Sequence, residues 1–121
     1  MQIVVTVGTA EEFAAAYPRP DRKLNKLESD AYIGEILRAA AEEGRKSVDI
    51  QGIAETEKGS DIAGAARLME QPVIDFAREN ALPETVRFVC DSEKVATLYK
   101  VVYNMYYADS KETRLEDERW D

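Results

Sequence analysis

Three short β-rich runs constrain this 121-residue sequence more than any other feature. "QIVVTV" (2–7), "SVDIQGI" (47–53) and "TVRFVC" (85–90) read as strands, because β-branched and aromatic side chains suit a pleated, half-buried surface. The stretches between and after them carry apolar residues at helical spacing. Thr9 followed by Glu12 fits a capping box that opens a short helix over "AEEFAAAY" (10–17), which the prolines of "PRPDRK" (18–23) stop. A second helix is expected from Ser29 to Glu43, with Tyr32, Ile36, Leu37 and Ala40 on one face and Gly44 ending it. A third starts at Ser60 as N-cap, with Asp61 at the positive end of the helix dipole. Its Ile62, Ala65, Ala66, Met69, Val73 and Phe76 face a sheet, and Pro72 predicts a kink or break. A fourth, capped by Asp91 or Ser92, presents Val95, Leu98, Tyr99, Val102, Met105 and Tyr106.

The resulting order, β-α-α-β-α-β-α, predicts a small three-layer α/β domain over residues 1–108 with at least partly parallel strands. Residues 109–121, "DSKETRLEDERWD" from Asp109 on, show no sustained apolar face and read as a charged C-terminal tail, either a frayed helical extension or disordered.

Charge and composition exclude several functions. The formal net charge is −8, from 24 acidic and 16 basic residues, so no general basic face exists to neutralise nucleic-acid phosphates or to hold an anionic membrane. No apolar run approaches the ~20 residues that span a bilayer, and the N-terminus lacks the basic start and apolar core of a signal peptide. The one cysteine, Cys90, has no partner for an internal disulfide and reads as a small core residue. A cytoplasmic protein is expected. Histidine is absent, which removes the commonest general base and zinc ligand together with Ser-His and Cys-His nucleophile systems. No catalytic residue, metal ligand or cofactor is therefore assigned. Glu55, Glu57 and Asp61 read as a solvated acidic loop, Lys58-Gly59-Ser60 lacks the earlier glycine of a phosphate loop, and "PRPDRK" reads as a solvated basic loop.

The segments "LESDAYIGEILRAAAEEGRKSVDIQGI", "AARLMEQPVIDFARE" and "VRFVCDSEKVATLY" resemble the second half of a macro domain, the ADP-ribose-binding module. Tyr32, Leu37, Ala40, Gly44, Ser47, Ile53, Ala65, Ala66, Phe76, Val86, Phe88 and Val89 stand where that family has matching residues, over roughly residues 24 to 99. The resemblance implies a loop after Ile53 that cradles a diphosphate, held by Gly52, Ile53, Ala54, Glu55, Thr56 and Gly59. The family's Ser-Thr-Gly is here Ala54, Glu55 and Thr56, so the loop is degenerate. A carboxylate at ~4 Å from a phosphate, at an effective dielectric near 20, costs on the order of 4 kcal/mol. The family's first half, with its adenine-binding aspartate, Asn-rich strand end and first glycine loop, has no counterpart in residues 1 to 30. The sequence opens on Met1, and a naturally short protein is expected.

Two readings follow. One is a truncated, non-catalytic macro-like protein that serves protein interaction or homo-oligomer assembly. It would act as a homodimer through Tyr99, Tyr103, Tyr106 and Trp120. The other is binding or hydrolysis of ADP-ribose or a related nucleotide through the loop after the second strand, with Glu55 or Asp61 acting on water. A third has another polypeptide supply the missing half. On the family's strand order, losing its first three strands opens a gap between 2–7 and 47–53, to be closed by direct pairing of those strands or by another chain.

Overall fold

The three β-branched runs are strands in a computed structural model, which describes residues 1–53 and 59–120. They are β1 (Gln2–Val7), β2 (Ser47–Gln51) and β3 (Thr85–Cys90). Helices α1 (Lys26–Glu42), α2 (Gly59–Ala77) and α3 (Glu93–Tyr106) alternate with them, and a further strand, β4 (Arg114–Asp117), precedes a 3-10 turn, η1 (Glu118–Trp120). All four strands run parallel in the order β2-β3-β1-β4.

The register explains why alternating apolar residues suffice. It lines up Val48, Val86, Ile3 and Leu115 in one row, and Ile50, Phe88 and Val5 in the next. Side chains at alternate positions share a face. Both rows join Ile33 and Leu37 of α1, Ile62, Ala66 and Val73 of α2, and Val95, Tyr99 and Val102 of α3 in a single core. The three helices therefore cover one face. The opposite face carries the row Asp49, Arg87, Val4 and Glu116. It is covered thinly: Arg87 bonds Asp49 at 3.2 Å and Glu118 at 3.1 Å, and its guanidinium lies 5.8 Å over the Phe13 ring.

Helix ends follow the local chemistry. Asn25 caps α1 with a reciprocal box to Glu28, which starts the helix before the expected Ser29. Gly44, at φ +69°, ends it as expected; Arg45 N–H reaches Ala40 and Gly44 N–H reaches Ala41, the paired bonds of a Schellman stop. The helix α2 begins at Gly59, one residue before its expected cap, and runs through Pro72 without the expected break.

Several expectations are corrected. The box at Thr9 and Glu12 forms, with bonds of 3.0 and 3.1 Å, yet residues 10–15 make turns and no helix. The chain is instead drawn to the edge of β2. There Tyr17 N–H donates to Asp49 O and Gln51 N–H donates to Tyr17 O, each at 2.8 Å. Nor does β1 pair with β2: it lies beyond β3, and Tyr17 caps part of the β2 edge. Residues 114–117 are neither helix nor disordered tail. They pair with β1 because that strand offers an open parallel edge, and Leu115 extends the core row.

The C-terminal segment is fastened by buried polar contacts. Thr113 shares a 2.8 Å hydrogen bond with Tyr103. Arg119 binds Asp117 through Nε at 2.8 Å and reaches Glu93 Oε2 at 2.8 Å and Thr97 at 3.0 Å on α3. The side chains of Arg119 and Asp117 are only 7% and 8% exposed. Removing Arg119 leaves the buried Asp117 with the more distant Lys100, at 3.6 Å, so its charge is less well compensated. Arg119→Ala should therefore lower stability by about 2 to 3 kcal/mol; an unchanged urea midpoint would contradict this role for β4 and η1.

Candidate functional site

The C-terminal end of β2 opens onto a cleft of about 490 Å³ lined by Arg19, Arg22, Lys23, Ile53, Asp61 and Met69, among others. Ligands in open α/β sheets bind outside the carboxyl ends of the strands, beside a helix N-terminus. Both features meet here: Ile53 follows β2, and Asp61 and Ala65 belong to the first turns of α2.

The opposite wall is the basic loop 18–24. Its place is dictated by ties to four elements. Tyr17 sits on the β2 edge, and Arg19 N–H donates to Gln51 Oε1 at 3.1 Å. The Arg19 guanidinium grips both oxygens of Asp91, at the end of β3, at 2.8 and 2.6 Å. Tyr32 on α1 donates to the Pro18 carbonyl, and Arg22 pairs with Glu28. Lys23 lies 3.8 Å from Asp61 on α2. The Arg22 guanidinium, with help from the Asn25 amide, holds the Glu28 carboxyl down at about 2. Asp91, through its hydrogen bonds first, raises the Arg19 pKa.

Among the cleft-lining residues three cations, Arg19, Arg22 and Lys23, face two carboxylates, Asp21 and Asp61. The arrangement can receive an anion against apolar walls from Ile53, Leu68 and Met69. The "PRPDRK" loop, expected to be solvated, keeps Asp21, Arg22 and Lys23 exposed and also lines this cleft. Its signal in the sequence was that it is the sole basic cluster of an acidic chain; its position depends on contacts some thirty to seventy residues away.

Of the residues expected to hold a ligand, Ile53 lines the cleft, whereas Gly52 just before it is buried and does not. Gly59 begins α2. Ala54, Glu55 and Thr56, together with Glu57 and Lys58, lie outside the described residues. The expected interface set divides. Tyr99 and Tyr103 are buried in the core, Tyr99 stacking on Phe88 at 5.1 Å, so neither is a surface for a partner. Tyr106 is half exposed, with the Arg67 guanidinium 3.9 Å over its ring. The Trp120 side chain lies outside the described part. Cys90 is buried as expected, and burial pushes its thiol up to about 12. Among the described residues no group of acidic or cysteine side chains is placed to hold a metal ion.

Sequence reading missed Glu70. It sits in the apolar row Ala66, Glu70, Ile74 of α2 and is completely buried. Neither carboxylate oxygen has a hydrogen-bond partner among the described residues. Burial pushes its carboxyl up to about 9, and its charge bears on Cys90, Tyr99 and Tyr107. Its i,i+4 spacing to two core residues was the available signal.

No family model matches the chain. It is 35% identical over 80 residues to an O-acetyl-ADP-ribose deacetylase of Citrobacter koseri, covering 66% of this chain and 45% of that protein. It is 36% identical over 75 residues to an O-acetyl-ADP-ribose deacetylase of Escherichia fergusonii, covering 62% of this chain and 42% of that protein. Fold and cleft define a parallel α/β domain with a ligand-sized opening at its strand ends. These matches support a partial macro domain over the matched residues. It spans less than half the length of the curated relatives it matches.

Glu70 yields a pH prediction. Its folded-state pKa, about 9, lies above the ordinary value of 4.5. Between those values the folded protein keeps a proton that the unfolded chain has released. Stability is therefore highest at acidic pH and falls as pH rises through the window, by up to about 1.4 kcal/mol per unit. With no histidine in the chain, few other groups titrate between pH 5.5 and 8.5. Urea unfolding should show Glu70→Met losing this slope and exceeding the wild type at pH 8; parallel pH profiles for the two proteins would refute the assignment.

Proposed function

We propose that the cleft between loop 18–24 and the start of α2 binds ADP-ribose or a related nucleotide diphosphate. The observation that carries this reading is the folding of the chain's sole basic cluster over the strand exit and helix start of a partial macro domain. Arg22 and Lys23 would face the diphosphate together with the positive end of α2, and Ile53, Leu68 and Met69 would pack on the apolar part of the ligand. The cleft volume falls in the range usual for small-molecule sites. If a hydrolytic step follows binding, Asp61, which lines the cleft in the first turn of α2, would act on water. Titration calorimetry with ADP-ribose should give saturable heat, and the Arg22→Ala, Lys23→Ala double variant should bind about tenfold more weakly, the loss expected for two exposed charge contacts. No heat at high micromolar ligand would dispose of this reading.

A second reading, self-association, is favoured by one observation. The outer side of α3 leaves Val101, Met105 and Tyr106 exposed at 43%, 69% and 50%. Large exposed apolar side chains clustered on one helix suit a contact with a second copy. Light scattering at micromolar concentration should report a dimer that Met105→Lys dissolves; a clean monomer counts against it.

A further inference from the structure

Successive backbone amides at the end of β2 are anchored by three different groups. Gln51 N–H donates to the Tyr17 carbonyl at 2.8 Å and Gly52 N–H to the Val89 carbonyl at 2.7 Å. There the ladder to β3 ends. The next amide, Ile53, donates to the Tyr99 hydroxyl at 3.2 Å. A side chain of α3 thus stands in for the strand carbonyl that the sheet no longer offers, at the residue where the chain enters the cleft.

Tyr99 is completely buried, and its ring leans on Phe88 at an interplanar angle of 43°. A Cβ built on Gly52 would lie 3.2 Å from Cys90 Sγ and 3.4 Å from both the Tyr99 hydroxyl oxygen and the Val89 carbonyl. Glycine at 52 therefore spares the strand exit a tight contact with Cys90 beside the point where the next amide reaches the tyrosine. Tyr99 itself does not line the cleft, whereas Ile53 does.

We infer that Tyr99 is a positioning residue for the candidate ligand site: its hydroxyl holds the Ile53 amide, and with it the cleft wall that Ile53 forms. The inference rests on the nucleotide-binding reading for its ligand, while its structural half stands apart from that reading.

Tyr99→Phe tests it, since the ring and its packing remain and only the acceptor for the Ile53 amide is lost. Hydrogen exchange at the Ile53 amide, followed by NMR, should quicken about tenfold, and ADP-ribose affinity by calorimetry should fall about five- to tenfold, the worth of one hydrogen bond. Tyr103→Phe is the matched control. It loses a hydroxyl four residues along that bonds Thr113, and should leave both readouts unchanged. Gly52→Ala is the second variant: its added methyl crowds Cys90 Sγ, its tightest neighbour at 3.2 Å, beside the Tyr99 hydroxyl, and the backbone shift this forces at the strand exit should produce the same pair of changes. An unchanged exchange rate in both variants, or an unchanged affinity despite faster exchange, overturns the inference. If the wild type gives no heat with ADP-ribose, the binding reading fails, and Ile53 exchange alone then decides whether Tyr99 positions the strand exit.

Discussion

The parallel register between β1 and β3 is the interaction on which the rest of this structure depends. It places Ile3 beside Val86 and Val5 beside Phe88, so two short β-branched runs become continuous apolar rows under three helices. A two-stranded ribbon of β2 and β3 alone would be marginal in water. With β1 in place, β3 is bonded on both sides and β1 presents the edge that β4 completes. The gap expected between 2–7 and 47–53 does not arise, because the first strand joins the sheet on the other side of β3. A domain matching less than half of its relatives' length can in this way keep a closed core.

The same arrangement builds the cleft. The segment from β1 to α1 has to cross the thinly covered face, round the β2 edge and climb to the helical side. Tyr17, Arg19 and Tyr32 mark that route. A loop tied at so many points has little freedom left to lose when an anion arrives, which lowers the ordering cost of binding. The ties also have a cost in charge. Arg19, Arg22 and Lys23 each have a carboxylate partner, so an incoming phosphate must compete with Asp91, Glu28 and Asp61 for them.

Much of the fold was legible in the sequence, and the failures share a cause. Strands 2–7, 47–53 and 85–90 were readable because their pattern is local, as were Gly44 and the apolar stripes of α1 and α2. Thr9 and Glu12 form their predicted capping box, but the pull of the β2 edge on Tyr17 ends the helix before it starts. Residues 114–117, Arg-Leu-Glu-Asp, offer one apolar side chain, and nothing local says that β1 awaits them. Tyr99 and Tyr106 both fall on the predicted stripe of α3, yet one is wholly inside and the other half outside. For the cleft, Ile53 was named in advance only through the family resemblance, while the basic wall was not, since its position is set by partners distant in sequence.

The neighbour relation of β1 and β4 reaches beyond the folded state. Gln2 stands opposite Arg114, and Ile3 opposite Leu115. Among these four strands, the first in chain order is therefore the one whose last neighbour leaves a ribosome latest. Residues 47–90 can bring β2, α2 and β3 together by short-range contacts, but β1 must remain partnerless until β3 emerges, and half-partnered until β4 does. Such long sequence separation slows closure and leaves an apolar strand waiting in solution. The charges flanking β4 and the polar turns after Gly8 sit beside the strand that waits longest.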